Sequence, residues 1–219
     1  MNQLSQPPIL YSLRNCPYAM RARIGLYMAQ QLVEVREVKL TNKPEAMLAA
    51  SAKGTVPILQ TERGIVDQSL DIMLWALKRH DPNDLLYKAT PEKQPHMLAL
   101  ITIFDEEFKG KLEQYKCVKR YHGAALERAR SDCEHYLAQL ERRLTQSPFL
   151  FGQHLSLADI AIMPFIRQMA RVERQWYLNA PYPNLRQWLD NMLQSVMFSK
   201  VMTKYPVWSK GACPVMLAH

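Results

Sequence analysis

Leu13-Arg14-Asn15-Cys16-Pro17-Tyr18-Ala19 is the stretch on which this chain turns. Ahead of it, residues 9–13 form a short apolar run that reads as a β-strand; after Asn15 the pattern is helical. Cys16 therefore falls at a strand–helix junction, with Pro17 in the first helical position, where a missing N–H is no loss. A side chain there faces the unpaired N–H groups and positive end of the helix. Arg14, Arg21 and Arg23 add positive charge nearby. Such surroundings make a thiol nucleophilic. A cysteine taken alone is more often a small buried hydrophobe; the junction turns the expectation toward a reactive site.

With 219 residues, 48% hydrophobic and 22% charged, the chain has the composition of a folded protein of one large domain or two small ones. No apolar run reaches the roughly 18 residues of a membrane-spanning helix, so no membrane role is expected. Residues 1–8 are polar and proline-containing, unlike a signal peptide, and the expected location is cytoplasmic. Cysteines at 16, 117, 133 and 213 show neither Cys-x-x-Cys nor zinc spacing, so reduced thiols and no metal are expected. The net charge of +8 is spread among acids, as in Glu141-Arg142-Arg143 and Glu173-Arg174, without a nucleic-acid motif. It fits small anionic ligands better than nucleic acid.

Working outward, residues 32–38 are valine-rich with partial alternation and read as a second strand. The helix between the strands has Ala22, Leu26 and Ala29 on one face, giving a βαβ unit with a parallel pair. A short helical piece is expected at 44–50. Val56-Pro57 then precedes the run 58–59, where a cis proline would leave the Val56 backbone open to an extended ligand. Arg63-Gly64 reads as a turn and 65–66 as the last strand of a hairpin. Gln68-Ser69 opens a helix to about 80, a position suited to a carboxylate.

The breaker cluster His80-Asp81-Pro82-Asn83-Asp84 marks the domain boundary, and everything after it reads as helix. Met97, Ile101, Phe104, Phe108, Leu112 and Tyr115 form one apolar stripe; Leu126, Ala129, Cys133, Leu137, Leu140 and Leu144 form another, which makes Cys133 a core residue. Ser156 and Asp159 predict a capping box, with Leu155 and Ile160 as its hydrophobic staple. Capping accounts for Asp159 without catalysis. The helix it starts, to about 172, is apolar nearly all round and should be central. Helices at about 183–193 and 196–204 follow, with an irregular tail from 206.

In this order and spacing, the βαβ unit, the Val-Pro hairpin, the helix opened by a polar-Ser pair and the all-helical half with its Ser-x-x-Asp start resemble the cytosolic glutathione transferases. The likeness runs from about residue 9 to 205. It implies an α/β thioredoxin-like, glutathione-binding N-terminal domain over 1–82 and an all-α helical bundle domain over 91–219. Cys16-Pro17-Tyr18-Ala19 is similar to the Cys-Pro-aromatic-Ala signature of the omega-like, cysteine-type members, which act as thiol transferases and reductases. It also resembles a glutaredoxin Cys-Pro-Tyr-Cys whose second, resolving cysteine is replaced by Ala19.

The resemblance implies Cys16 as nucleophile facing the sulfur of glutathione, which is co-substrate, with Tyr18 beside it. Leu40 and Lys43 match the segment that brings a lysine to the glycyl carboxylate. Val56, before Pro57, matches the residue whose backbone pairs with the cysteinyl part. Gln68-Ser69 match the pair that grips the γ-glutamyl group; the family usually has Glu-Ser, and Asp67 or Asp71 are candidates to supply the missing charge. A second-substrate wall between the domains would draw on Phe108, Tyr115, Lys116, Arg120 and Tyr121. A homodimer is implied as well.

Three functions compete. The first is a glutathione-dependent thiol transferase or reductase acting on a small-molecule or disulfide substrate through Cys16. The second is a binding or regulatory protein that keeps the fold without turnover. The third, conjugation through an activated glutathione thiolate, needs a hydroxyl near the ligand sulfur, for which Tyr11 and Ser12 are the candidates.

Overall fold

The computed structural model describes residues 6–121 and 125–218. The chain folds as two compact units, the described residues of Met1–Asn83 with Ser195–His219, and Asp84–Gln194.

The first unit is built on a four-stranded sheet in the order β2-β1-β3-β4. β1 (Ile9–Ser12) leads into α1 (Pro17–Met28), which returns to β2 (Glu34–Glu37); the two strands are parallel, with Ser12 opposite Glu37. α2 (Glu45–Ala50) follows, then β3 (Ile58–Thr61) and β4 (Gly64–Val66), both joined antiparallel. The hairpin loop is Glu62-Arg63, and Gly64, at φ +127°, opens β4 in a conformation open to glycine. α3 (Ser69–Arg79) packs closely on α1: a methyl group at Gly25 would stand 2.8 Å from the Met73 Cα. Tyr11, Ala19, Val38, Met47, Val56 and Ile58 form one core, and Cys16 packs against it half-buried.

The C-terminal segment departs from expectation. The last helix of the chain is Val196–Val201, shorter than the spacing suggests, and the tail beyond it is not simply irregular. Trp208 N–H donates to the Glu37 carbonyl at 2.8 Å, Val35 N–H to Val215 at 2.7 Å, and Leu217 N–H to Val33 at 3.0 Å. The tail thereby covers the outer edge of β2, whose backbone groups would otherwise lie open. This is why 195–218 go with the sheet, whereas the sequence places them with the helices.

The second unit comprises α4 (Lys93–Ile103), a π-helical turn (Phe104–Phe108), α5 (Lys109–Arg120), α6 (Leu126–Leu144), α7 (Leu157–Ala170), α8 (Arg174–Asn179) and α9 (Pro183–Gln194). The last helix, Val196–Val201 of the first unit, is α10. The apolar stripe expected of one long helix runs through α4, the π turn and α5, and all six of its residues are buried. α8 is too short to show a period and is not foreseen. α7 is buried along most of its length and opens with the expected capping box. The Asp159 carboxylate accepts from Ser156 N, Leu150 N and Trp188 Nε1 at 2.9–3.0 Å, so it ties the helix start to two further segments. Among the described residues no helix is long and apolar enough to cross a membrane.

Candidate functional site

Cys16 is the N-cap residue of α1, in extended backbone conformation at φ −75° and ψ 124°, with Pro17 beginning the helix. A turn delivers it there: Cys16 N–H donates to the Leu13 carbonyl at 3.0 Å, and the Cys16 carbonyl accepts from Met20 N–H at 2.9 Å. The side chain does not cap the helix. Its Sγ lies 3.9 Å from the Val56 carbonyl oxygen. The thiol thus sits where the end of a strand, the first turn of a helix and the loop before β3 converge.

That loop carries a cis Val56–Pro57 peptide bond, and both residues are buried. Gln68 is the N-cap of α3, exposed, and its side chain does not cap; Ser69 begins the helix and is buried. Arg21 Nη1 donates to Ser69 Oγ at 3.4 Å, linking the two helices that start at Cys16 and Ser69. Tyr18 lies half-buried in the first turn of α1. Lys43 and Leu40 are exposed, and the Lys43 ammonium passes over Gly54, close to where a Cβ would stand. The first unit therefore brings Cys16 to Val56, connects α1 to Ser69, and sets Lys43 on the loop leading to Val56. Gln68 and Leu40 remain at the surface. Among the described residues no group of three metal-ligating side chains comes together.

Arg23 does not act as the sequence suggests. Arg23 is fully buried; its Nη2 pairs with Glu37, its Nε donates to Ser12 Oγ at 2.8 Å and its Nη1 to the Val201 carbonyl at 3.2 Å. Burial pushes its guanidinium below the ordinary value, against the pull of the Glu37 carboxylate. Its charge is thus spent on an internal ion pair rather than offered to Cys16. Arg21 is buried as well. Tyr11 and Ser12 are corrected likewise: both are wholly buried, Ser12 Oγ takes the Arg23 bond, and Tyr11 Oη accepts from Arg36 Nη1 at 2.9 Å. Neither presents a hydroxyl to a ligand sulfur. Asp67 is already committed to Ser51 at 3.1 Å and Lys53 at 2.9 Å, and the Lys53 hydrogen bond holds its carboxyl below the ordinary value. Asp71 stays exposed in the first turn of α3.

The expected second-substrate wall divides. Phe108 and Tyr115 have no exposed surface; Phe108 packs on Phe104 and Tyr136, and Tyr115 Oη donates to Glu173 at 2.6 Å. Both are core of the helical unit, because they continue its apolar stripe. Lys116 pairs with Glu113 at 2.8 Å, and Arg120 and Tyr121 lie at the end of α5, Tyr121 exposed. Cys133 is core as expected, and burial pushes its thiol up to about 12.

Two features went unforeseen. Glu37 is a buried acid whose only signal in the sequence is a charge inside a valine-rich strand. A cavity of about 750 Å³ lies among Arg36, Val38, Asn42, Pro44, Ala46 and Trp208, with the Arg36 guanidinium 4.5 Å from the Trp208 ring centre. It needs the tail in place, so no local pattern announces it.

Two family patterns match the chain: "Glutathione S-transferase, N-terminal domain" over residues 10–84 and "Glutathione S-transferase, C-terminal domain" over 123–191. Pyrimidodiazepine synthase of Drosophila melanogaster is 30% identical over 192 residues, covering 84% of this chain and 75% of that protein. Glutathione S-transferase omega-1 of Sus scrofa is 23% identical over 187 residues, covering 84% and 76%. Elongation factor 1-gamma of Danio rerio is 24% identical over 176 residues, covering 78% of this chain and 39% of that longer protein. In structure, poplar glutathione transferase F1 superposes with a TM-score of 0.77 at 17% identity, over 90% of this chain and 97% of that one.

Proposed function

The chain belongs to the glutathione S-transferase family, and from that premise we propose that it is a glutathione-dependent thiol transferase with Cys16 as nucleophile. One observation carries the proposal: a half-buried thiol at the N-cap of α1, beside the Val56 carbonyl. The sulfur there stands beside the positive end of the helix and is partly open to solvent. The likeness to an omega-1 transferase agrees with it.

In the proposed reaction, the Cys16 thiolate attacks the glutathione sulfur of a mixed disulfide. The bond to the substrate sulfur breaks, the substrate leaves as a thiolate, and Cys16 becomes glutathionylated. Ala19 stands where a resolving cysteine would be, so a second glutathione thiolate attacks that disulfide. Oxidised glutathione leaves and the Cys16 thiolate returns. Deglutathionylation and dehydroascorbate-type reduction use the same nucleophile. Glutathione would pair with the Val56 backbone ahead of Pro57, reach Lys43 with its glycyl carboxylate, and meet Ser69 and Gln68 with its γ-glutamyl end, Tyr18 and Leu40 flanking it. A cytoplasmic homodimer is part of the same proposal.

The test is intact mass after incubation with oxidised glutathione. The wild type should gain one adduct that reductant removes, and Cys16→Ala, still folded, should gain none. A folded wild type without an adduct on Cys16 would overturn the proposal. It would favour the second reading, a binding or regulatory protein, on which the likeness to elongation factor 1-gamma and the uncharged Gln68 bear.

A further inference from the structure

Glu37 ends β2, opposite Ser12, at the point where the parallel ladder stops and the chain swings into the Cys16 turn. The Val38 N–H makes the last backbone bond, to the Ser12 carbonyl at 2.9 Å. Beyond it, the Glu37 side chain adds one more rung: its Oε1 accepts from Arg14 N–H at 2.6 Å. Its Oε2 takes Arg23 Nη2, and Arg23, seven residues after Cys16, is part of the helix that Cys16 caps. These bonds close a ring: Cys16, α1, Arg23, Glu37, Arg14 and back to Cys16. Glu37 is about nine-tenths buried and Arg23 wholly so, so neither partner is lent to solvent. Arg23 is held further by the Val201 carbonyl and by the Tyr205 ring, 5.3 Å from its guanidinium carbon.

A buried ion pair is a costly way to gain stability, since apolar residues of similar volume often do as well. Here one carboxylate oxygen is committed to a backbone N–H in the turn that delivers the thiol. We propose that Glu37 is a positioning residue for Cys16: through Arg14 N–H it fixes the turn that presents the thiol at the start of α1, and Arg23 fixes Glu37. This rests on the proposed role of Cys16 as nucleophile. Loss of the carboxylate leaves the Arg14 N–H without its acceptor; the turn loosens, and the sulfur no longer stays at the helix end.

The test compares two double variants of equal net charge. Arg23→Met/Glu37→Leu removes the ion pair and the acceptor for Arg14 N–H. Arg23→Met/Glu37→Gln removes the ion pair but keeps a neutral acceptor. Alkylation by iodoacetamide is followed site by site by mass spectrometry on the native protein, with the exposed Cys213 as internal reference. The Cys16-to-Cys213 rate ratio should fall about tenfold or more in the Leu variant, the scale of one hydrogen bond to a charged acceptor. The Gln variant should recover it to within about threefold of wild type. A purely stabilising role would shift the urea midpoint and leave the ratio alone. Equal ratios in wild type and both folded variants would overturn the proposal. Should the Leu variant fail to fold, Glu37→Asp asks the same question, because it keeps the charge and withdraws the carboxylate by one methylene; an unchanged ratio there overturns the proposal too. A wild-type Cys16 no faster than Cys213 would instead remove the proposed function, and this proposal with it.

Discussion

Gly25→Ala sets two effects of opposite sign against each other at the contact between α1 and α3. Helix propensity favours alanine over glycine inside a helix by about 1 kcal/mol. Packing opposes it: the new methyl would stand 2.8 Å from both Cα and Cγ of Met73 and 3.0 Å from its Cβ. The Met73 side chain can turn aside, but its Cα belongs to the α3 backbone and cannot. An ordinary carbon–carbon contact of about 3.5 Å requires the two helices to part by about 0.7 Å. Overpacking costs about 1–3 kcal/mol, and a clash with a backbone atom that cannot turn aside belongs in the upper half of that range, so the net effect should be destabilising by about 1–2 kcal/mol. Urea unfolding should show a lower midpoint with an unchanged slope. Because α1 starts beside Cys16 and α3 starts at Ser69, the same parting moves the two helix ends relative to each other. Glutathione affinity, measured by calorimetry, should weaken along with stability. A variant as stable as wild type, or more so, would refute the packing argument.

Asp159→Ala should cost about 4 kcal/mol or more in urea unfolding, because Leu150 N, Ser156 N and Trp188 Nε1 each lose a buried acceptor; a cost under about 1 kcal/mol would refute this. The Tyr115–Glu173 pair predicts a pH window. Burial alone would raise Glu173, but the hydrogen bonds from Tyr115 and Arg130 and the nearby charges of Lys119 and Arg130 win, and its carboxyl is held below the ordinary value. Its contribution is present above about pH 4.3, the unfolded value, and lost as pH falls through the folded one. Tyr115 is raised by burial, then by its bond to Glu173 and that charge, so its contribution is present below about pH 10 and lost above. Stability measured against pH should therefore fall less steeply in both limbs for Tyr115→Phe; limbs identical to wild type would refute the assignment.

Legibility followed the range of the interaction. Cys16 at a strand–helix junction, the Ser156–Asp159 capping box and the Val56-Pro57 hairpin entry were readable because each is decided within a few residues: a helix end needs its cap, and a proline fixes its neighbours. The apolar stripe from Met97 to Tyr115 was readable as a period, yet the period cannot say whether an aromatic faces a core or a ligand. Burial put Phe108 and Tyr115 in the core. Pro164, a residue that ordinarily breaks a helix, lies inside α7, where burial on nearly every side outweighs the lost hydrogen bond.

What the sequence by itself determined is the pair of architectures, the cysteine at the helix start and the order of the residues proposed to hold glutathione. What only the tertiary structure decided is which charges remain available. Arg23 and Glu37 stand fourteen residues apart and became partners because parallel pairing of β1 with β2 sets Glu37 opposite Ser12, beneath α1. The tail reached β2 because an open strand edge offers hydrogen bonds to any segment long enough to come back to it. Pairings of this kind depend on chain paths rather than on neighbouring residues, so the same arginines that read as a field around a thiol turned out to be the frame that holds it.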